Sequence, residues 1–131
     1  MELSTASAQD RFIRRVADVS GENLMACYQC GKCSAGCPSA DRMDHVPSRF
    51  IKLLQLGMTE EAKASNTPWI CLTCFVCSVR CPKGIDIAGI MEAARVVQTR
   101  ENVDYVDVRS LGSEDLPPIA VVSCFRKNTA S

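Results

Sequence analysis

Two copies of one cysteine pattern dominate this sequence. ACYQCGKCSAGCP begins at Ala26 and ICLTCFVCSVRCP at Ile70, so Cys27, Cys30, Cys33 and Cys37 recur at a constant offset as Cys71, Cys74, Cys77 and Cys81, and Pro38 recurs as Pro82. Such a duplication predicts two similar half-sites related by a pseudo-twofold, with the segment between them setting their relative placement. The spacing C-x2-C-x2-C-x3-C-P is that of loops binding cubane iron-sulfur clusters. Three thiolates spaced this way on a curling loop converge on three corners of one cube, while the fourth, just past the loop, points towards the other cube. By that crossing rule Cys27, Cys30, Cys33 and Cys81 are expected to ligate one [4Fe-4S] cluster, and Cys71, Cys74, Cys77 and Cys37 a second.

Other cysteine chemistries fit less well. The opening residues MELSTASAQDRFIRR put acid and polar groups where a secretory leader carries its apolar centre. The expectation is therefore a cytoplasmic chain, in a compartment where thiols are kept reduced for metals or catalysis. The count of 9 cysteines is odd, which leaves one over in any all-disulfide scheme. Structural zinc also uses C-x2-C pairs, but a tetrahedral site takes two pairs and leaves the rest of each motif surplus. A zinc-stabilised interaction module stands as the competing chemistry.

Charge and hydropathy exclude further classes. Lys plus Arg and Asp plus Glu each number 15 in 131 residues, so the chain has no basic footprint for nucleic acid or an anionic membrane. No stretch approaches the roughly 20 apolar residues of a membrane helix, and the length suits one domain. Two filled sites would add about −4, because four thiolates on a 2+ cubane leave about −2 each. Lys32, Arg80 and Lys83 lie inside or beside the ligand loops, where they are placed to offset that charge; for each alone a solvated surface role is equally open. No nucleophile-base pair, phosphate loop or dinucleotide fingerprint is visible, so no active site is expected on this chain alone.

Apolar spacing predicts helices throughout. Val46, Phe50, Leu53 and Leu54 form one stripe ended by Gly57, with Asp44 near the start and Pro47 in the first turn. Thr59 with Glu60 and Glu61 reads as the cap and acidic first turn of a shorter helix running towards Asn66 and stopped by Pro68. Asp86 is expected to cap a helix with Ile87, Ile90, Met91, Ala94 and Val97 on one face and Glu92, Arg95 and Gln98 on the other. An N-terminal helix with Ser7 and Asp10 at capping-box spacing and Phe12, Val16 and Val19 on one face ends near Gly21. Pro117 and Pro118 favour a helix starting before Ile119, whereas NVDYVDVRS has some strand-like alternation and SLGSEDLPP reads as a linker. Gly31 and Gly36 are expected to let the loop backbone approach inorganic sulfur. Trp69 and Phe75 read as core shielding a cluster, Cys124 as a small buried hydrophobe, and His45 as a capping or surface residue.

The stretches LMACYQCGKCSAGCPSADRM and WICLTCFVCSVRCPKGIDI, together with PPIAVVSCFRKNTAS at the end, resemble the iron-sulfur C subunits of heterodisulfide reductases. The resemblance runs from about Phe12 to the C-terminus. It implies a mainly α fold, the alpha-helical ferredoxin type, with a helical arm at 1–23, a dicluster domain at 24–100 and a partner-docking segment at 101–131. It implies further a non-catalytic subunit that passes electrons through two [4Fe-4S] clusters, from the flavin-containing A subunit of a heterodisulfide reductase-type complex towards its cysteine-rich, disulfide-reducing B subunit. A related sulfur-metabolism complex, or a free two-cluster carrier, is the alternative.

Overall fold

The computed structural model describes residues 11–100 and 117–129, and every regular element among them is helical. They fall into two units, divided between Thr99 and Arg100.

The first unit is built around its last and longest helix. Helix α1 spans Arg11–Ser20, α2 Lys32–Ala35, α3 Pro47–Leu56, α4 Thr59–Ala64, α5 Thr67–Ile70, α6 Val76–Arg80 and α7 Ile87–Thr99; short 3₁₀ turns at Leu24–Ala26 and Ala40–Arg42 complete it. α7 is buried by α1 on one side and α5 on another, α3 packs on α4, and α2 meets α6. Phe50, Ile51, Leu54, Ile87, Ile90, Met91 and Val16 are its fully enclosed large apolar residues. Side chains of this kind each contribute about 1.5–3 kcal/mol on burial.

Several boundaries follow the sequence directly. α3 starts on Pro47 and ends at Gly57, whose left-handed φ of 74° turns its N–H back onto Leu53 and Leu54. Asp86 caps α7, its carboxylate accepting from the Gly89 N–H at 3.1 Å. On α7 the expected face is buried as far as Ala94, with Val97 partly covered. On α1 the enclosed face is Phe12, Ile13 and Val16, while Val19 turns outward and is 53% exposed. The proposed caps Ser7 and Asp10 lie outside the described residues.

The segment between the loops departs from its reading. Thr59 does not cap α4 but is its first helical residue and is buried; the cap position is Met58. Pro68 opens α5 rather than ending α4, since the first turn of a helix needs no proline N–H. Asp44 serves α5 rather than α3: it and Asn66 exchange bonds, Asn66 N–H to the Asp44 carboxylate at 3.0 Å and Asp44 N–H to the Asn66 amide oxygen at 2.8 Å. Beneath this lock, the fully buried Thr67 hydroxyl donates to the His45 carbonyl at 2.6 Å and accepts from the His45 N–H at 3.2 Å.

In the second unit, α8 spans Pro118–Thr129 and starts at the proline pair, with Ile119 and Val122 exposed. The stretches NVDYVDVRS and SLGSEDL and the side chain of Cys124 lie outside the described residues. None of the helices among the described residues is long and apolar enough to cross a membrane.

Thr67→Val keeps shape but takes the hydroxyl partner from the part-buried His45 N–H and carbonyl. It is expected to lower stability by about 1–3 kcal/mol, read as a lower urea midpoint at unchanged m-value.

Candidate metal centres

The two cysteine loops repeat in backbone as well as in sequence. The first leaves the 3₁₀ turn at Leu24–Ala26 and the second leaves α5, with Cys27 and Cys71 both extended. Gln29 and Thr73 then adopt left-handed φ of 63° and 50°, and Gly31 and Phe75 do the same at 77° and 61°. These turns curl each loop into the short helix, α2 or α6, that carries its third cysteine. A glycine takes this conformation freely, but a β-branched or aromatic residue there costs about 1–3 kcal/mol and persists only where the surroundings enforce it. Thr73 and Phe75 therefore mark the second loop as a built site.

The thiols group across the loops. Cys27, Cys30, Cys33 and Cys81 line one cavity, together with Tyr28, Gln29 and Lys83. Cys37, Cys71, Cys74 and Cys77 line a second, walled by Met43, Leu72, Val76 and Met91. In each cavity three cysteines come from one loop and the fourth from the other. Ile87, the first residue of α7, lines both cavities. All eight are free thiols, the third of each loop buried and the second exposed. Among the described residues no three Cys, His, Asp or Glu side chains close up as around a single ion. Zinc would need its ligands within about 2.0–2.3 Å of one point. Four soft donors spaced around a cavity fit a polynuclear iron-sulfur group, so the two rings fit two [4Fe-4S] clusters.

Two supports, repeated in each half, hold these rings. The serine after the third cysteine ties its loop to the helix that follows. Ser34 donates to the Ser48 hydroxyl at 2.8 Å and accepts from the Ser48 N–H at 2.9 Å, anchoring α3. Ser78 donates to the Asp86 carboxylate at 2.6 Å and accepts from the Ala88 N–H at 3.3 Å, anchoring α7. Further along the same helices, one side chain reaches back to the start of the loop. Gln55 on α3 donates to the carbonyls of Leu24 and Cys27, each at 2.8 Å, and Arg95 on α7 donates to that of Cys71 at 3.3 Å. Sequence reasoning missed all four supports. Only their equal placement within the two helices would have signalled them.

Local electrostatics follow exposure. Burial pushes the Cys33 and Cys77 thiols above the ordinary range, and neighbouring serines oppose it. Cys30 is held low, first by the Lys32 backbone N–H and further by the Tyr28 hydroxyl and the Lys32 charge. At Gly36 the space beside the backbone is taken by Arg80, whose guanidinium would lie 2.5 Å from an added Cβ. This glycine makes room for a side chain of the other loop.

Trp69 and Phe75, expected in the core, are 50% and 51% exposed. Phe75 occupies the left-handed position whose counterpart is Gly31, on the rim of the loop. His45 precedes α3 as read, with its imidazole 3.3 Å from the Glu61 carboxylate.

Gln55→Ala removes the side-chain donor shared by the Leu24 and Cys27 carbonyls, leaving Leu24 the longer bond from the Cys27 N–H at 3.4 Å. It is expected to cost about 1–3 kcal/mol and to speed amide hydrogen exchange in residues 24–30 while leaving residues 70–76 unchanged.

Comparison with known proteins places this geometry. Residues 26–86 match the 4Fe-4S dicluster domain. The chain is 41% identical over 73 residues to the iron-sulfur C subunit of the CoB–CoM heterodisulfide reductase of Methanopyrus kandleri, covering 56% of this chain and 38% of that one. It is 32% identical over 84 residues to the C subunit of the H(2):CoB-CoM heterodisulfide,ferredoxin reductase of Methanothermobacter marburgensis, covering 64% and 45%. A protein of Archaeoglobus profundus described as like the heterodisulfide reductase C subunit is 31% identical over 101 residues, covering 76% and 54%. The chain thus spans about half or less of the length of these relatives. With its helices, its paired rings of thiols and these likenesses together, it carries a ferredoxin-like two-cluster 4Fe-4S domain and is similar, over the stretches matched, to the iron-sulfur C subunits of heterodisulfide reductases.

Proposed function

We propose that Cys27, Cys30, Cys33 and Cys81 hold one [4Fe-4S] cluster and Cys71, Cys74, Cys77 and Cys37 the other, and that the chain relays single electrons within a heterodisulfide reductase-type complex. The observation that carries this reading is the crossed lining of the two cavities, which a shared wall at Ile87 makes neighbours. When bound, such clusters accept and release one electron at a time. The chain's own contribution is positional. The eight thiolates fix the sites, the serine ties and the bonds from Gln55 and Arg95 hold the loops in shape, and the buried third cysteines keep water from one side. Little reorganisation is then needed when charge arrives.

On this reading the chain has no active site of its own and works in the cytoplasm. Its donor is the flavin- and iron-sulfur-containing A subunit, and its acceptor the cysteine-rich B subunit that reduces a disulfide. The names of two relatives, C subunits of heterodisulfide reductases, support a place in a complex of that type. The exposed apolar residues Ile119 and Val122 of α8 support a docking role for residues 101–131. The rest of the chain divides into a helical arm at 1–23 and a dicluster domain at 24–100.

Anaerobic reconstitution is expected to yield roughly eight irons and matching sulfide per chain. In the Cys37→Ser protein, an alkylating agent mapped by mass spectrometry is expected to label Cys71, Cys74 and Cys77 while Cys27, Cys30, Cys33 and Cys81 stay protected; the reverse pattern overturns the crossed ligation. Isolation from the source at high salt is expected to retain a flavoprotein and a cysteine-rich protein in stoichiometric amounts. Recovery of the chain alone favours a free two-cluster carrier.

A further inference from the structure

The two half-sites share a backbone and differ in what surrounds it. Between its first and third cysteines the first loop carries Tyr28, Gln29, Gly31 and Lys32, and the second carries Leu72, Thr73, Phe75 and Val76. One polar side chain of the first loop points at a thiol. Gln29 Nε2 donates to Cys27 Sγ at 3.4 Å and is braced by the Gln55 amide oxygen at 3.3 Å. Lys83 lines the first cavity, with its ammonium 5.8 Å from the Tyr28 ring centre. Lys32 starts α2, directly after Gly31.

The second cavity has a different wall. Met43, Leu72, Val76, Ala88 and Met91 surround its cysteines, and no charged side chain lines it among the described residues. A carboxylate, Asp86, sits 2.6 Å from the hydroxyl of Ser78, the residue after Cys77. The corresponding tie in the first half ends on the neutral Ser48. Two cations work in the other direction. Arg95 reaches the second loop, but at the Cys71 carbonyl rather than at a thiol. Arg80 lies over Gly36, adjacent in sequence to Cys81 of the first ring and beside the neighbour of Cys37 in the second, so it acts on both.

We propose that these surroundings hold the two clusters at unequal potentials, with the cluster of Cys27, Cys30, Cys33 and Cys81 the higher. This rests on the crossed two-cluster reading above. Reduction adds one negative charge to a cluster. N–H···S bonds and nearby ammonium groups stabilise that charge, whereas apolar walls and a neighbouring carboxylate oppose it. An electron delivered to the second site by a one-electron donor, such as a reduced flavin, therefore passes to the first. The second cluster returns from 1+ to 2+ as the first goes from 2+ to 1+, and the chain gains one electron in all. The direction of travel is written into the residues between the cysteines.

The test is an anaerobic redox titration of the reconstituted chain followed by electron paramagnetic resonance, with iron and sulfide counted first. A wild-type preparation lacking roughly eight irons counts against the two-cluster reading itself, whereas the separation of the waves tests only this proposal. Two one-electron waves are expected, separated by at least a tenfold preference of the electron for one cluster, about 59 mV. Replacing the first loop's residues by those of the second, Tyr28→Leu, Gln29→Thr and Lys32→Val, together with Lys83→Met, is expected to lower the upper wave and leave the lower one in place. Coincident waves in the wild type, or a substitution set that moves the lower wave or neither, overturns the proposal. Should that variant fail to take up its iron, Gln29→Thr and Lys83→Met are titrated singly under the same criteria.

Discussion

Closing each ring of four thiols requires a cysteine from the opposite loop, and the rest of the first unit answers to that requirement. Neither half can surround a cavity by itself, because Cys37 lines the one built mainly by residues 71–77 and Cys81 the one built mainly by residues 27–33. The two loops must therefore be held in register while the chain travels from one to the other. That journey is made rigid by α3, α4 and α5, by the exchange of bonds between Asp44 and Asn66, and by the buried Thr67 hydroxyl on the His45 backbone. Where the loops meet, α2 lies against α6 and Arg80 fills the space that Gly36 leaves beside its backbone.

What could be read from the sequence was what depends on neighbours along the chain. The cysteine spacing, the stop at Gly57, the cap at Asp86 and the proline start of α8 are local signals, and each has a local physical cause. Pro68 misled because a residue suited to end one helix is equally suited to begin the next, whereas Thr59 begins its helix one position further in than a cap, with Met58 before it. Trp69 and Phe75 misled for a different reason. Large aromatic residues are usually enclosed, but Phe75 sits where the loop needs a left-handed residue on its rim, and Trp69 lies on a helix of one turn. Gln55 and Arg95 left no trace in the motif at all, since their partners are carbonyl groups, which every residue carries.

The duplication is thus closer in backbone than in side chains. Gly31 and Phe75 share a conformation, as do Gln29 and Thr73, and the serine ties recur. Each pair shares its place in the repeat while differing in charge or bulk: Gln55 against Arg95, Ser48 against Ala88, Lys32 against Val76. Geometry is what a cluster needs in order to be held, and it leaves little room for change. The surroundings are where the two halves have been free to differ.

The exits from the two loops also differ, and this bears on distance. The first wanders through residues 38–46 and a 3₁₀ turn before α3 begins, whereas the second needs only residues 82–86 before α7. The shorter path brings Ile87 to the wall between the cavities, at the head of a helix clasped by α1 and α5. A residue common to both walls and seated at the end of a clamped rod ties the two cavities to one rigid element, so breathing of the outer helices would move them together rather than apart.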